Sequence, residues 1–289
     1  MDDLLRPGSD IEPQIAADSM VELYSSSLRH VLDGTTNWSR PEDEFPGNFC
    51  YRLFYSMFYI VRQLAAEDEE GQGKLAEFLD CLRKMPTTTH ENTGIACRWQ
   101  YLPTISYGHI DSNRGMFYPS TLFERPRTNS MPSDIMLTTA SREQQRTEDL
   151  NFNAFLARLT RLSGLNGAET LDFSCWGHQA LVTALEEEVN SRSKEFHTQR
   201  AVWDANIPFA AQWIKTCGRV LFESDRKFDW RADGGRLWTG KNGFSRERWK
   251  FWRKRFRDIS TFTQSSQEAK YICRKMAGLM EDIEGADTS

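Results

Sequence analysis

The chain has 289 residues, a formal net charge of −5 and nine Trp, with 39% hydrophobic, 27% charged and 12% aromatic residues. That content of large apolar side chains excludes a chain disordered throughout, and it supplies enough surface to bury a core. The length admits one large domain or two of ordinary size, and the mild acidity argues against a dedicated nucleic-acid binder while leaving room for a local basic patch.

The opening stretch, MDDLLRPGSD, places acidic residues where a signal peptide needs basic ones. The longest uncharged apolar run, Leu53 to Val61, lies between Arg52 and Arg62. It is far short of the roughly 20 residues that cross a bilayer. The cysteines Cys50, Cys81, Cys97, Cys175, Cys217 and Cys273 are spread singly. In a chain of this length they read as reduced, mostly buried thiols. The expectation is a soluble intracellular protein of the cytoplasm or nucleus, with no membrane partner.

In chain order, the first helix is predicted from about Glu12 to Leu32, with Pro13 in its first turn and Gly34 as a stop. Its apolar residues recur at Met20, Leu23, Leu28 and Val31. Pro41, Pro46 and the run Glu42-Asp43-Glu44 make residues 34–47 a loop, and Asn48 is expected to cap the next helix. That helix is apolar except along Arg52, Ser56, Tyr59 and Gln63, so it is expected to be largely wrapped by others. A third helix carries Leu75, Phe78, Leu79 and Leu82 and ends before Pro86.

Residues 86–145 sustain no period and are punctuated by Pro103, Pro119, Pro126 and Pro132, which reads as a long irregular, partly disordered insertion. Helical pattern returns at Leu150 and is expected to stop at Gly164. The next helix is predicted from Phe173 to Val189, with Glu186, Glu187 and Glu188 as a surface run, and Pro208 is expected to open another. A Gly-rich loop from Asp225 to Gly243 carries Trp230 and Trp238. Ser245 caps a helix with the apolar stripe Trp249, Trp252, Phe256 and Ile259. Ser265 to Glu268 has the capping-box form before a last helix bearing Ile272, Met276, Leu279 and Ile283. With no strand series in view, the predicted class is all-α: a multi-helix array around one core.

Motifs that could carry chemistry are sparse. Gly71-x-Gly73-x-x-Ala76 has the spacing of a dinucleotide loop, but it follows Glu67-Asp68-Glu69-Glu70, whose charge would repel phosphate. Asp111-x-Asn113-x-Gly115 misplaces the glycine of a calcium loop and has Leu122 where the bidentate acid belongs. Cys175 and His178 lie three apart, with no third group in sight to orient the imidazole. They read as a buried Cys and a partly exposed His. His90-Glu91 and His109-x-Asp111 form no spaced metal set. No catalytic residue, metal site or cofactor is expected.

Two features remain. Arg246 to Arg257 contains seven Lys or Arg, with Arg246, Lys250, Lys254 and Arg257 roughly opposite the tryptophan stripe at 100° per residue. The Trp230 and Trp238 indoles sit in the Gly-rich loop, where they are candidates to line a groove. Together these six residues are the candidate interaction surface. Residues 1–90 carry 16 acids against eight bases, so the rest of the chain is net positive.

Several stretches resemble one family. They are NAFLARL at Asn153–Leu159, Trp176 followed by ALEEE at Ala184–Glu188, and IPFAAQWI at Ile207–Ile214. Gly234 to Phe256 and the closing MAGLMEDIE follow in the same order and spacing. Together they resemble the fungal family of domain of unknown function 3632 over about residues 147–284, with a looser fit before. The segment from Trp99 to Pro103 is similar to the family's tryptophan-then-Leu-Pro segment. The resemblance implies a fungal, helical, soluble protein, and it transfers no catalytic residue. Some members lie near fungal secondary-metabolite genes, which implies an accessory or regulatory role.

The organisation expected is residues 1–85 as the N-terminal helices of a single domain, 86–146 as the insertion and 147–284 as the C-terminal helical part. The expected function is non-catalytic interaction, regulation or accessory work, with a protein or a hydrophobic small molecule as partner. The alternatives are a binder of, or enzyme on, a hydrophobic small molecule in a Trp-lined pocket, and nucleic-acid binding through the basic helix.

Overall fold

The computed structural model describes residues 11–36, 42–103, 105, 139–187, 196–228 and 235–286. Among these it is 74% helical, with eight α-helices and one sheet of two short strands, so the chain has the all-α, multi-helix architecture. The described residues fall into two compact units. One reaches residue 105 and takes in Glu169–Leu171, and the other comprises 139–168 and 172–286.

In the first unit, α1 (Pro13–Leu32), α2 (Phe45–Gln63) and α3 (Glu69–Lys84) precede a hairpin of β1 (Thr88–Thr89) and β2 (Ala96–Cys97). The buried line of α1 is Ala17, Tyr24, Leu28 and Val31, while Leu23 is 52% exposed. A wide Tyr ring therefore fixes which face turns inward. Tyr24 meets Phe49 and Trp99 edge-on, each at 5.3 Å between centroids. T-shaped contacts of this kind suit the ring quadrupoles. α2 starts at Phe45, with Pro46 in its first turn, where a missing N–H costs nothing. Asn48 is thus inside the helix, its amide donating to the Glu44 carbonyl at 2.8 Å. α2 is amphipathic rather than wrapped: Arg52, Tyr55, Ser56, Tyr59 and Gln63 are exposed.

Asp68 caps α3 by accepting from the Gly71 N–H at 2.8 Å. The buried Gln72 amide donates to the Leu64 and Ala65 carbonyls at 3.0 and 3.1 Å, which fastens the α2–α3 turn. The start of the expected irregular insertion is ordered. β1 and β2 pair antiparallel, and Trp99 is fully buried with its indole N–H on Thr88 Oγ1 at 2.9 Å. Residues 106–138 of that insertion lie outside the described residues.

In the second unit, α4 is Thr139–Asn166, α5 Ser174–Leu185, α6 Phe196–Glu223, α7 Arg246–Thr261 and α8 Gln267–Gly285. α4 begins eleven residues before Leu150 and runs past Gly164. Gly164 lies inside α4, where a Cβ would stand 2.6 Å from Val220 of α6, so its bare backbone permits the close approach of the two helices. Gly167, at φ +64°, adopts the left-handed conformation just past its end. Likewise a Cβ at Gly177 of α5 would stand 2.5 Å from the Trp213 ring, and one at Gly218 of α6 2.8 Å from Ile283 of α8. α6 is the axis of the unit, and bare backbone lets its neighbours come close. It extends well before Pro208, which lies inside it, and it kinks at Cys217 (φ −133°).

α7 matches the sequence pattern. Ser245 accepts from the Arg248 N–H at 3.1 Å, and Trp249, Trp252, Phe256 and Ile259 are buried. α8 is capped by Ser266, one residue later than the capping-box pattern, through the Ala269 N–H at 3.1 Å. Its buried line is Ala269, Cys273, Met276, Ala277 and Met280, which leaves Ile272, Leu279 and Ile283 half-buried. The six cysteines are free thiols. Among the described residues, no helix is long and apolar enough to cross a membrane.

Trp249 is 1% exposed, and its indole nitrogen has no hydrogen-bond partner among the described residues, so its contribution is packing. Trp249→Ala is expected to cost about 3–5 kcal/mol in urea unfolding, while a Lys250→Ala/Lys254→Ala double variant stays within about 1 kcal/mol. A Trp249 variant as stable as the parent would show that α7 does not anchor the unit.

Candidate functional site

The most concentrated polar chemistry of the second unit is buried. α5 ends at Leu185, and the next residue, Glu186, is fully enclosed instead of lying on the surface. Its Oε1 accepts from Arg248 Nε at 2.7 Å and from the Trp252 indole at 2.6 Å. Its Oε2 accepts from Arg248 Nη2 at 2.8 Å and from the Gly235 N–H at 2.8 Å. The remaining Arg248 nitrogen donates to the Gly243 carbonyl at 3.0 Å, and Arg248 lies 5.4 Å from the rings of both Trp238 and Trp252. Each carboxylate oxygen accepts two hydrogen bonds and each of the three guanidinium nitrogens has a partner, which is the condition for an ion pair to survive away from water. Gly235 is obligatory here, since a Cβ would stand 2.6 Å from that of Glu186.

His178 sits on the same side of α5. It is 1% exposed, with its ring against Phe228, Phe244 and Trp252 at 5.2, 5.3 and 5.9 Å. Its Nε2 has no hydrogen-bond partner among the described residues. Burial, followed by the positive charge of Arg248, lowers its pKa to about 3, against the raising effect of the Gly243 carbonyl. The expected exposure of the pair is inverted: His178 is enclosed and Cys175 is half-buried. A neutral imidazole walled by aromatic rings is a packing group, and it offers no base to a thiol.

The remaining sequence motifs fall in ordinary positions. Gly71 to Ala76 lie within the first turns of α3, where the Asp68 carboxylate already occupies the helix start. His90 Nδ1 lies 3.2 Å from Thr93 Oγ1 in the hairpin turn. His109 and Asp111 to Gly115 lie outside the described residues. Among the described residues no group of three or more His, Cys, Asp or Glu could hold a metal ion.

Of the six residues of the candidate interaction surface, Trp230 lies outside the described residues. Trp238 is half-buried, packed on Phe251 at 5.2 Å, with its indole N–H on the Lys241 carbonyl at 3.0 Å. Arg246 lies over the Phe222 ring at 3.6 Å. Lys254 pairs with Asp258 at 2.9 Å, and Arg257 pairs with Glu281 of α8. Arg253, just before Lys254, bridges to Glu284 at 2.9 Å. Lys250 is exposed. The stripe thus lies on one face of α7, and much of its charge is spent on neighbouring helices.

A different surface was not visible in the sequence. An open groove of ≈ 600 Å³ lies along α8 beside α6, lined by Lys215, Tyr271, Arg274, Lys275, Gly278 and Leu279 among others. Lys275 stands 5.1 Å from the Tyr271 ring, which is 57% exposed. Asp282 is the one acid in the lining. Lys215 and Arg274 make no ion pair among the described residues, in contrast to Arg253, Lys254 and Arg257. Sequence distance hides this site: Lys215 and Arg274 are 59 positions apart, and no periodicity connects two helices.

The fold and these surfaces define a helical protein whose buried polar groups hold its own elements together. Among known families, the profile of "Protein of unknown function (DUF3632)" matches residues 54–256, and the chain belongs to that family. The match runs from α2 to α7 and ends before α8. No curated protein and no solved structure matches the chain.

Two measurements test the buried centre. Glu186→Ala is expected to cost about 3–5 kcal/mol, because it leaves Arg248 buried without a counter-charge. Unfolding in urea reads this directly, and a loss under about 1 kcal/mol would mean that water reaches the guanidinium. His178 has a folded pKa far below the ordinary imidazole value, so the unfolded chain binds the extra proton. Its contribution is complete above about pH 6.5 and is lost as pH falls towards 3. Between pH 8 and pH 5 the parent should lose about 2 kcal/mol more stability than His178→Leu. Equal losses would place a charged ring in the folded state.

Proposed function

We propose that the chain is a non-catalytic interaction protein with a regulatory or accessory role, linked to fungal secondary metabolism as its family resemblance implies. The observation that carries the reading is the α6–α8 groove, where Lys215 and Arg274 face solvent without an ion pair among the described residues and Lys275 is engaged only with the exposed Tyr271 ring. By contrast, Glu186 and Arg248 are committed to each other, and Arg253, Lys254 and Arg257 to acids of α7 and α8. A surface free of internal duties can be spent on a partner. The intracellular setting, cytoplasmic or nuclear, is part of the same proposal.

The other two readings have less support. A hydrophobic ligand needs an enclosed apolar pocket, and Trp99, Trp213, Trp249 and Trp252 are all buried in packing. Nucleic-acid binding through α7 needs a continuous free cationic face, and Lys254 and Arg257 are paired.

The test is affinity purification of the tagged full chain from its native host, alongside an Arg274→Glu/Lys275→Glu variant, with mass spectrometry of proteins and small molecules. The expected result is a protein recovered in near-equal amount with the parent and depleted with the variant. Recovery of an apolar small molecule alone, equally with both, would replace this reading with the ligand-binding one.

A further inference from the structure

Resting on the interaction reading above, we propose that the α6–α8 groove is the docking site for an acidic amphipathic helix of a protein partner. The groove has a cationic rim and an apolar floor. Lys215 stands on α6, and Arg274 and Lys275 stand on α8. The floor is made by Met276, Gly278 and Leu279, with the exposed Tyr271 ring at one end. Only Asp282, at the other end, opposes the positive charge.

Shape and length select a helix. Tyr271 to Asp282 spans about 17 Å at 1.5 Å per residue, which is three turns of a partner lying alongside. Gly278 sits mid-groove, and a Cβ added there would meet nothing within 4 Å. The bare backbone at Gly278 leaves open space in which an apolar side chain of the partner can approach α8 closely, in the manner of helix-in-groove recognition. The openness of the groove suits a helix lying in it better than a small ligand, which is normally enclosed on most sides.

Charge selects the sign. Three cations within one groove repel a basic segment and attract acids spaced three or four apart on the partner's flanks. Asp282 adds polarity, favouring a cation or a helix N-terminus at its end. Isolated surface cations are commonplace. Here the cations flank a floor with a missing side chain, and the neighbouring helix, α7, pairs its own charges with the acidic residues of α8.

The probe is a fluorescein-labelled synthetic peptide of about 16 residues, with Leu or Phe at i, i+4, i+7 and i+11 and Glu at its flanks. Its controls are the same peptide with Lys for every Glu, and a scrambled acidic peptide. Anisotropy is read on the full chain, the Arg274→Glu/Lys275→Glu variant and Gly278→Leu. Circular dichroism verifies that both variants keep the parent's helicity. The expected result is binding of the acidic helix about tenfold or more tighter than either control. Each variant should weaken it about tenfold, and salt at about 0.5 M should suppress it. Equal binding of the acidic and scrambled peptides overturns the proposal, as does binding that survives both variants. Binding of phosphatidylserine vesicles or of oleate, with no binding of the acidic peptide, also overturns it in favour of an anionic surface or a small amphiphile. A protein recovered in the purification above, with no affinity for the acidic peptide, would sink this proposal and leave the interaction reading standing.

Discussion

The Glu186–Arg248 pair is the constraint around which the C-terminal unit is arranged. A carboxylate and a guanidinium cannot be taken out of water unless both are satisfied in the same place. The two residues come from the end of α5 and the first turn of α7, so meeting this condition fixes the relation of those helices. Trp252 supplies one further donor from α7, and the Gly235 N–H supplies another from the loop before it. The loop is drawn in further as the Leu237 N–H donates to the Glu186 carbonyl at 2.9 Å. Arg255 reaches back to the Leu185 carbonyl at 2.8 Å, capping the end of α5. Loop, helix end and helix start are thereby tied to one side chain.

Much of the helical framework was legible in the sequence. Trp249, Trp252, Phe256 and Ile259 recur at three, four and three, and Ser245 announces the start of their helix. Leu75, Phe78, Leu79 and Leu82 do the same for α3. Boundaries failed where tertiary contact overrode a local signal. Gly164 reads as a stop in sequence, yet it continues α4, with Val220 occupying the space of its missing side chain. Pro208 reads as a start, yet it lies inside α6. Leu23 reads as core, yet Tyr24 takes the inward face. At Gly164 and Tyr24 the deciding atoms, those of Val220 and of Phe49 and Trp99, belong to other elements, which local patterning does not contain.

The functional surfaces were less legible, for a physical reason. Glu186 heads a run of three acids, and such a run is ordinarily solvated. Only the arrival of Arg248, 62 residues later, makes burial possible. The basic stripe of α7 was visible, but which of its charges were already matched depended on acids of α8. The α6–α8 groove combines residues from two helices, so it had no linear signature at all. Glycine at position 278 was the one hint, a helical residue with no capping duty and no close neighbour.

The sequence separation of the buried pair also sets an order of events. Closing a loop of this length carries an entropic cost that grows with its logarithm, and it has to be met before the ion pair can form. Until α7 arrives, Glu186 must remain hydrated, since enclosing it alone would strand a charge. The enclosure of Glu186 by the loop at Gly235 therefore waits on the docking of α7. The element that gives the unit its definition is thus a latch in time as well as in space.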